Sequence, residues 1–202
     1  MKIPYKLNHE VPTMNWLTQL YADMPTQLDF DRTYFMRPAV LAPIALYLFE
    51  NPKVVLASAS PPIKKFFQTY GLLKQRIPAP SHVFPLNYLK NAEEISLQLD
   101  RFVPTHIGAY LKPLLQILAP ATYCGHSNAG GGWLFFSVCS SKIVPLDDFR
   151  WHMLLEEFEV TGGRFWALQQ NRYFNGRKTL ELDGHFPKTW VIFGFPLTKL
   201  GA

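Results

Sequence analysis

The chain has 202 residues, a formal net charge of +5, and a composition that is 48% hydrophobic and 17% charged. That balance can fill a core and excludes a disordered chain, while only two cysteines exclude a disulfide framework and point to a reducing, cytoplasmic setting. The most apolar stretch, PAVLAPIALYLF at 38–49, is shorter than the ~20 residues a membrane span needs, and MKIPYKLNHEVP carries no secretory apolar run.

In chain order, TMNWLTQLYADM predicts a helix capped by Thr13, with Trp16, Leu17, Leu20 and Tyr21 on one stripe and Pro25 as its stop. RPAVLAPIALYLFE predicts a second, nearly all-apolar helix, kinked or restarted at Pro43. KVVLA at 53–57 reads as a strand that turns through Ser58 to Pro62 into a helix IKKFFQTYGLL. Three prolines in 76–90 predict an extended surface connection. Asn91 with Glu94 has capping-box spacing and predicts a helix over 91–102, and a further helix follows over 105–118.

The second half changes character. GWLFFSVC at 132–139 is apolar on both faces, which predicts a central strand. LDDFRWHMLLEEFEV has Trp151, Leu154, Leu155 and Phe158 at helical spacing. A short helix is expected next, opening on Gly162-Gly163 and closing on Asn175-Gly176, and then strands KTLEL and TWVIFGF. The expected class is α+β, helix-rich, with a small mixed sheet in the C-terminal half. The coarsest division is a mainly helical region 1–120 and a mixed region 121–202, with a shared core left open.

Charge is unevenly placed. Residues 51–92 hold six basic side chains, Lys64 and Lys65 among them, and no acid. Residues 161–202 hold six more, including Arg164, Arg172, Arg177 and Lys178, against Glu181 and Asp183. If both segments share a face, it attracts nucleic acid or an acidic protein surface.

Gly162-Gly163 at the start of a helix would leave backbone N–H groups and the positive dipole end free for an anion. Arg164 adds a forked donor for phosphate or carboxylate, and Trp166 a face for stacking a base. Arg172, Arg177 and Lys178 lie farther along and would follow a longer polyanion. The competing reading makes the glycines ordinary loop residues and the aromatics core. FEVTGGRFWALQ also resembles the short box of the ParB/sulfiredoxin superfamily, in which a strand runs into Gly-x-Arg-Arg and a helix. Gly162, Arg164 and Trp166 match it, and Phe165 stands in place of the second arginine. The resemblance covers about a dozen residues. It implies a ParB/sulfiredoxin-like fold, nucleotide or DNA contact at Gly162, Gly163 and Arg164, and kinship with partition proteins and plasmid-encoded inhibitors of conjugative transfer.

YCGHSNAGGGW places Cys124 two residues before His126, a workable thiolate–imidazole pair if they share a strand face. Gly130 to Gly132 would be the turn into the next strand. Neither Cys-x-x-Cys nor His-x-x-x-His is present, so no metal site is expected, and no phosphate loop or other cofactor motif occurs. Ser58 and Ser60, backed by Lys64 and Lys65, offer a further anion-holding turn. The expected function is a cytoplasmic binding or regulatory protein contacting a protein or nucleic-acid partner, on the resemblance an inhibitor of DNA transfer. The alternatives are a nucleotide- or DNA-processing enzyme at Gly162-Gly163-Arg164 and a Cys124/His126 thiol hydrolase.

Overall fold

A computed structural model of the chain describes residues 3–90, 105–128, 132–144, 149–175 and 178–197. The helix expected over 91–102, the turn residues Gly130 and Gly131, the pair Asp147-Asp148, and Gly176 and Arg177 lie outside these. Among the described residues strands outweigh helices, 41% to 33%, so they are α+β but not helix-rich.

The N-terminal segment builds two small parallel pairs with helices between them. Strand β1 (Lys6–Leu7) pairs with β3 (Phe35–Met36), and β2 (Gln27–Phe30) with β4 (Val55–Ala59). Helix α1 (Val11–Asp23) has Glu10 at its N-cap, three residues before the expected cap. Thr13 is inside it, and its Oγ1 accepts the Asn8 N–H at 3.1 Å. Helix α2 (Leu41–Glu50) follows a 3-10 turn, Pro38–Val40, and α3 (Pro61–Tyr70) follows β4.

The remaining strands form one antiparallel sheet in the order β5-β6-β7-β9-β8. They are β5 (Val83–Leu89), β6 (Ala121–Asn128), β7 (Trp133–Ser140), β8 (Arg164–Asn175) and β9 (Lys178–Pro196). The expected mixed sheet is thus antiparallel throughout. The middle strand is β7, as its two apolar faces predict. Part of the proline-rich connection is β5, an edge strand, where Pro85 sits inside a register shift between Phe84 and Asn87. An edge or a bulge is where a strand tolerates a residue without an N–H. The two expected strands KTLEL and TWVIFGF are one, β9, with Pro187 beside the register breaks at Gln170.

Alternation along the strands feeds two cores. One face carries Leu134, Phe136, Val138, Val191, Phe193 and Phe195 against α4 (Thr105–Leu118) and α5 (Phe149–Val160). The other carries Cys124, Cys139, Leu168, Trp190 and Ile192 against α1, α2 and α3. The second core draws buried residues from Ile3 through to Ile192.

Helix α2 is held on that second face by polar contacts that its own sequence makes necessary. Pro43 has no N–H, so the carbonyl four residues earlier, Ala39, loses its helical donor. Ser137 Oγ donates to Ala39 O at 2.6 Å and accepts from Trp190 Nε1 at 2.8 Å. Thr122 Oγ1 donates to Ala42 O at 2.7 Å, and Cys124 Sγ to Pro38 O at 3.3 Å. These bonds seat the 3-10 turn and the start of α2 over one end of β6 and β7.

Candidate binding surface

The Gly162-Gly163 pair closes a helix rather than opening one. Helix α5 ends at Val160; the N–H of Gly162 bonds Glu159 O at 2.9 Å and that of Gly163 bonds Phe158 O at 3.3 Å. This is the Schellman arrangement, with Gly162 at φ 78° supplying the left-handed residue. Both N–H groups are therefore spent on carbonyls, at the negative end of the helix dipole. Gly163 serves packing as well, since a Cβ there would lie 2.4 Å from the Phe158 ring. Arg164 then begins β8, not a helix. The order is helix, turn, strand, the reverse of what the ParB-like box implies.

What Arg164 joins is a row of residues crossing the sheet. Val83, His126, Phe135, Gly194 and Arg164 stand at paired positions on β5, β6, β7, β9 and β8. Ser137, Ile192 and Trp166 hold the next row on the α2 side, and Trp133 with Pro196 the row beyond. Because side chains alternate between faces, all of these point to the second-core side. Helix α2 and its turn reach the Ser137 row and stop. Trp133, Phe135, His126 and Trp166 are left half-buried, and Arg37 and Arg164 exposed.

The rings on this face form a ledge. His126 lies on Phe135 with centroids 5.3 Å apart and planes at 20°. Trp133 is 6.2 Å from Phe135 at 21°, and Phe135 is 6.4 Å from Trp166. His9 adds a ring 5.3 Å from Trp166, and its backbone is fixed by the Tyr173 hydroxyl donating to His9 O at 2.6 Å. Gly194 makes the ledge possible: a Cβ there would stand 3.2 Å from Phe135 and 3.5 Å from Trp133. Both rings lean over the glycine, and the Arg164 guanidinium reaches in from the other side, 5.3 Å from the centre of the Trp133 ring.

Between the rings is a cleft of about 30 Å³ lined by His9, Arg37, Ala39, His126, Phe135, Trp166 and Ile192. That is room for about one water, far below the ~300–1,000 Å³ of small-ligand pockets. Burial lowers the pKa of His126 to about 4, helped by the Arg37 and His82 charges; burial and then Arg37 lower that of His9 as well. Both imidazoles are neutral at pH 7, so the positive charge on the ledge belongs to Arg37 and Arg164. Glu10 is the carboxylate closest along the chain to this rim, and it acts weakly on His9.

The other sequence candidates fall elsewhere. Cys124 and His126 share a face of β6, but Cys124 is fully buried beneath the 3-10 turn. Burial pushes its thiol up to about 12, so the arrangement supplies no thiolate at neutral pH. Among the described residues no three His, Cys, Asp or Glu gather to hold a metal ion. Ser58 donates to the Asp29 carboxylate and Ser60 to Thr33 O, so both hydroxyls of the β4–α3 turn are engaged. Pro61 and Pro62 also strip two N–H donors from the start of α3. Lys64 and Lys65 are exposed on that helix. Arg172 pairs across from Glu181, and Lys178 from Asn175, toward the hairpin end of β8 and β9. Eight residues of strand at ~3.3 Å each allow at most about 26 Å between Arg164 and Arg172, on the far side of the register breaks at Gln170. No helix among the described residues is long and apolar enough to cross a membrane.

Of the residues singled out from sequence, then, Arg164, Trp166 and His126 come together. Sequence reading missed His9, Arg37, Trp133 and Phe135. Only the last two carried a local signal, the alternate spacing of aromatics along β7. Comparison of the chain with protein-family models, with curated proteins and with solved structures found no match.

Proposed function

We propose that this protein works by binding an extended anionic partner, a nucleic acid or an acidic protein segment, on the uncovered end of its antiparallel sheet. One observation carries the reading. Arg164 lies over Trp133 beside Phe135, Trp166 and Arg37 on a sheet face where the cleft between the rings is about 30 Å³. Cationic and aromatic groups on an open face suit an extended partner, whereas a small substrate needs an enclosing pocket. The chain's net charge of +5 favours anionic partners over long range.

The test is a titration of the protein against heparin at low and moderate salt, followed by the fluorescence of its tryptophans. Binding is expected, weakening steeply as salt rises. The double variant Arg37→Gln/Arg164→Gln is expected to bind at least 10-fold more weakly. Unchanged binding by that variant, or no binding at low salt, overturns the reading.

A further inference from the structure

We infer that the partner on this ledge is a single-stranded nucleic acid, its bases stacked on Trp133, Phe135 and Trp166 and its phosphates held by Arg164 and Arg37. This rests on the reading that the ledge binds an anionic partner, and it names the partner's chemistry.

The ring spacing selects for a separated strand. Neighbouring centroids are 6.2 and 6.4 Å apart, nearly twice the ~3.4 Å between stacked bases of one strand in a duplex. Bases that each engage one ring must be pulled apart, which a single strand permits and a duplex does not. A duplex brings only phosphates to such a face, and the aromatic area would go unused. An acidic peptide likewise has no group suited to a row of half-buried rings, since carboxylates meet the negative face of a π system unfavourably. Bases have a π face regardless of sequence, so the predicted recognition tolerates sequence variation.

The cations are placed for phosphates. The planar guanidinium of Arg164 is held over the indole of Trp133 and opens toward solvent. Arg37 stands at the opposite margin, where it follows β3 and borders His126 and Trp166. Its surroundings extend the track. The backbone N–H of Arg37 bonds Leu7 O at 2.8 Å, and the same β1–β3 pair exposes Tyr5 and Tyr34 with centroids 3.9 Å apart. Lys6 lies 5.7 Å over Tyr34.

Four probes separate the outcomes: 12-nucleotide oligo-dT, 12-nucleotide oligo-rU, a 12-base-pair duplex, and poly-glutamate, with heparin as the base-free polyanion. Binding is read by anisotropy and by quenching of the tryptophans. The expected result is tightest binding to one or both single strands, at least 10-fold tighter than to the duplex or to poly-glutamate, with quenching that heparin does not produce. The dT and rU arms tell DNA from RNA. Trp133→Ala is expected to weaken the single strand about 10-fold and heparin by a clearly smaller factor, since for heparin it removes only the platform under Arg164. Arg164→Gln, on an exposed side chain that folding does not need, weakens both. Equal binding of duplex, heparin and single strand, indifferent to Trp133→Ala, overturns this inference and leaves the anionic-partner reading standing. Preference for poly-glutamate also overturns it, in favour of an acidic protein segment. Failure to bind any of the probes overturns both.

Discussion

Replacing Ser137 by Ala tests how α2 is fastened to the sheet. Ser137 is 2% exposed and its Oγ bridges two buried groups, donating to Ala39 O and accepting from Trp190 Nε1. Ala39 O has no helical donor to fall back on, because residue 43 is proline. The substitution leaves one carbonyl and one indole N–H without partners in an apolar layer. Each such group costs about 1–3 kcal/mol, and the lost hydroxyl itself no longer needs solvating. A net cost of about 3 kcal/mol is expected, equivalent to roughly 6–12 °C in the midpoint of a chain this long. Calorimetry or thermal circular dichroism measures it. The diagnostic arm repeats the change in a Pro43→Ala background, where an N–H returns four residues beyond Ala39. There the cost should fall by about half. If Ser137→Ala shifts stability by less than 0.5 kcal/mol, or costs the same in both backgrounds, the argument from the missing proline donor is wrong.

Three further outcomes follow from the same coordinates. Gly163→Ala drives a Cβ into the Phe158 ring and should cost about 2–3 kcal/mol, against about 1 for the left-handed backbone of Gly162 in Gly162→Ala; urea midpoints rank them, and the opposite order would refute the packing role of Gly163. His126 titrates near 4 in the fold and near 6.5 unfolded, so the unfolded chain takes up a proton that the native state refuses. Its contribution is therefore complete above about pH 6.5 and lost as pH falls toward 4, on the order of 1–2 kcal/mol after solvent screening. His126→Gln should flatten the stability profile in that window, and His9 acts with the same sign. Cys124 and Cys139 are both buried with thiols pushed up, so an aromatic disulfide reagent at pH 8 should label neither until the chain unfolds. Fast labelling of the native protein would contradict the packing under the 3-10 turn.

Which parts were legible in the sequence depends on where the deciding contact lies. Strand β7 was readable because an uninterrupted two-sided apolar run needs no partner to be recognised. The helix α5 was readable from Leu155 and Phe158 at helical spacing. The segment after Gly163 was not. Ala167, Leu168, Gln169 and Gln170 are good helix formers, and only their pairing with β9, about twenty residues on, makes them strand. The glycine pair was ambiguous for a related reason: glycine borders helices at both ends, and the sign of the dipole it faces depends on which neighbour is helical. Strand β5 was hidden by prolines that an edge position tolerates. At the ledge, Arg164 and Trp166 were found for a reason that fails, a helix N-terminus, and belong there for another, alternation along β8. Arg37 was invisible because roughly 90 to 130 residues separate it from His126, Phe135 and Trp166, the rings it borders.

The position of β5 has a consequence for anyone who divides this molecule. A fragment beginning near residue 121 would leave β6 as a bare margin, with its amide and carbonyl groups unpaired along the register that β5 occupies. It would also uncover Trp190 and Ile192, which the first half roofs over. Such an exposed apolar margin invites self-pairing between copies. The fragment is expected to aggregate when expressed alone, and co-expression with residues 1–120 should return it to solution.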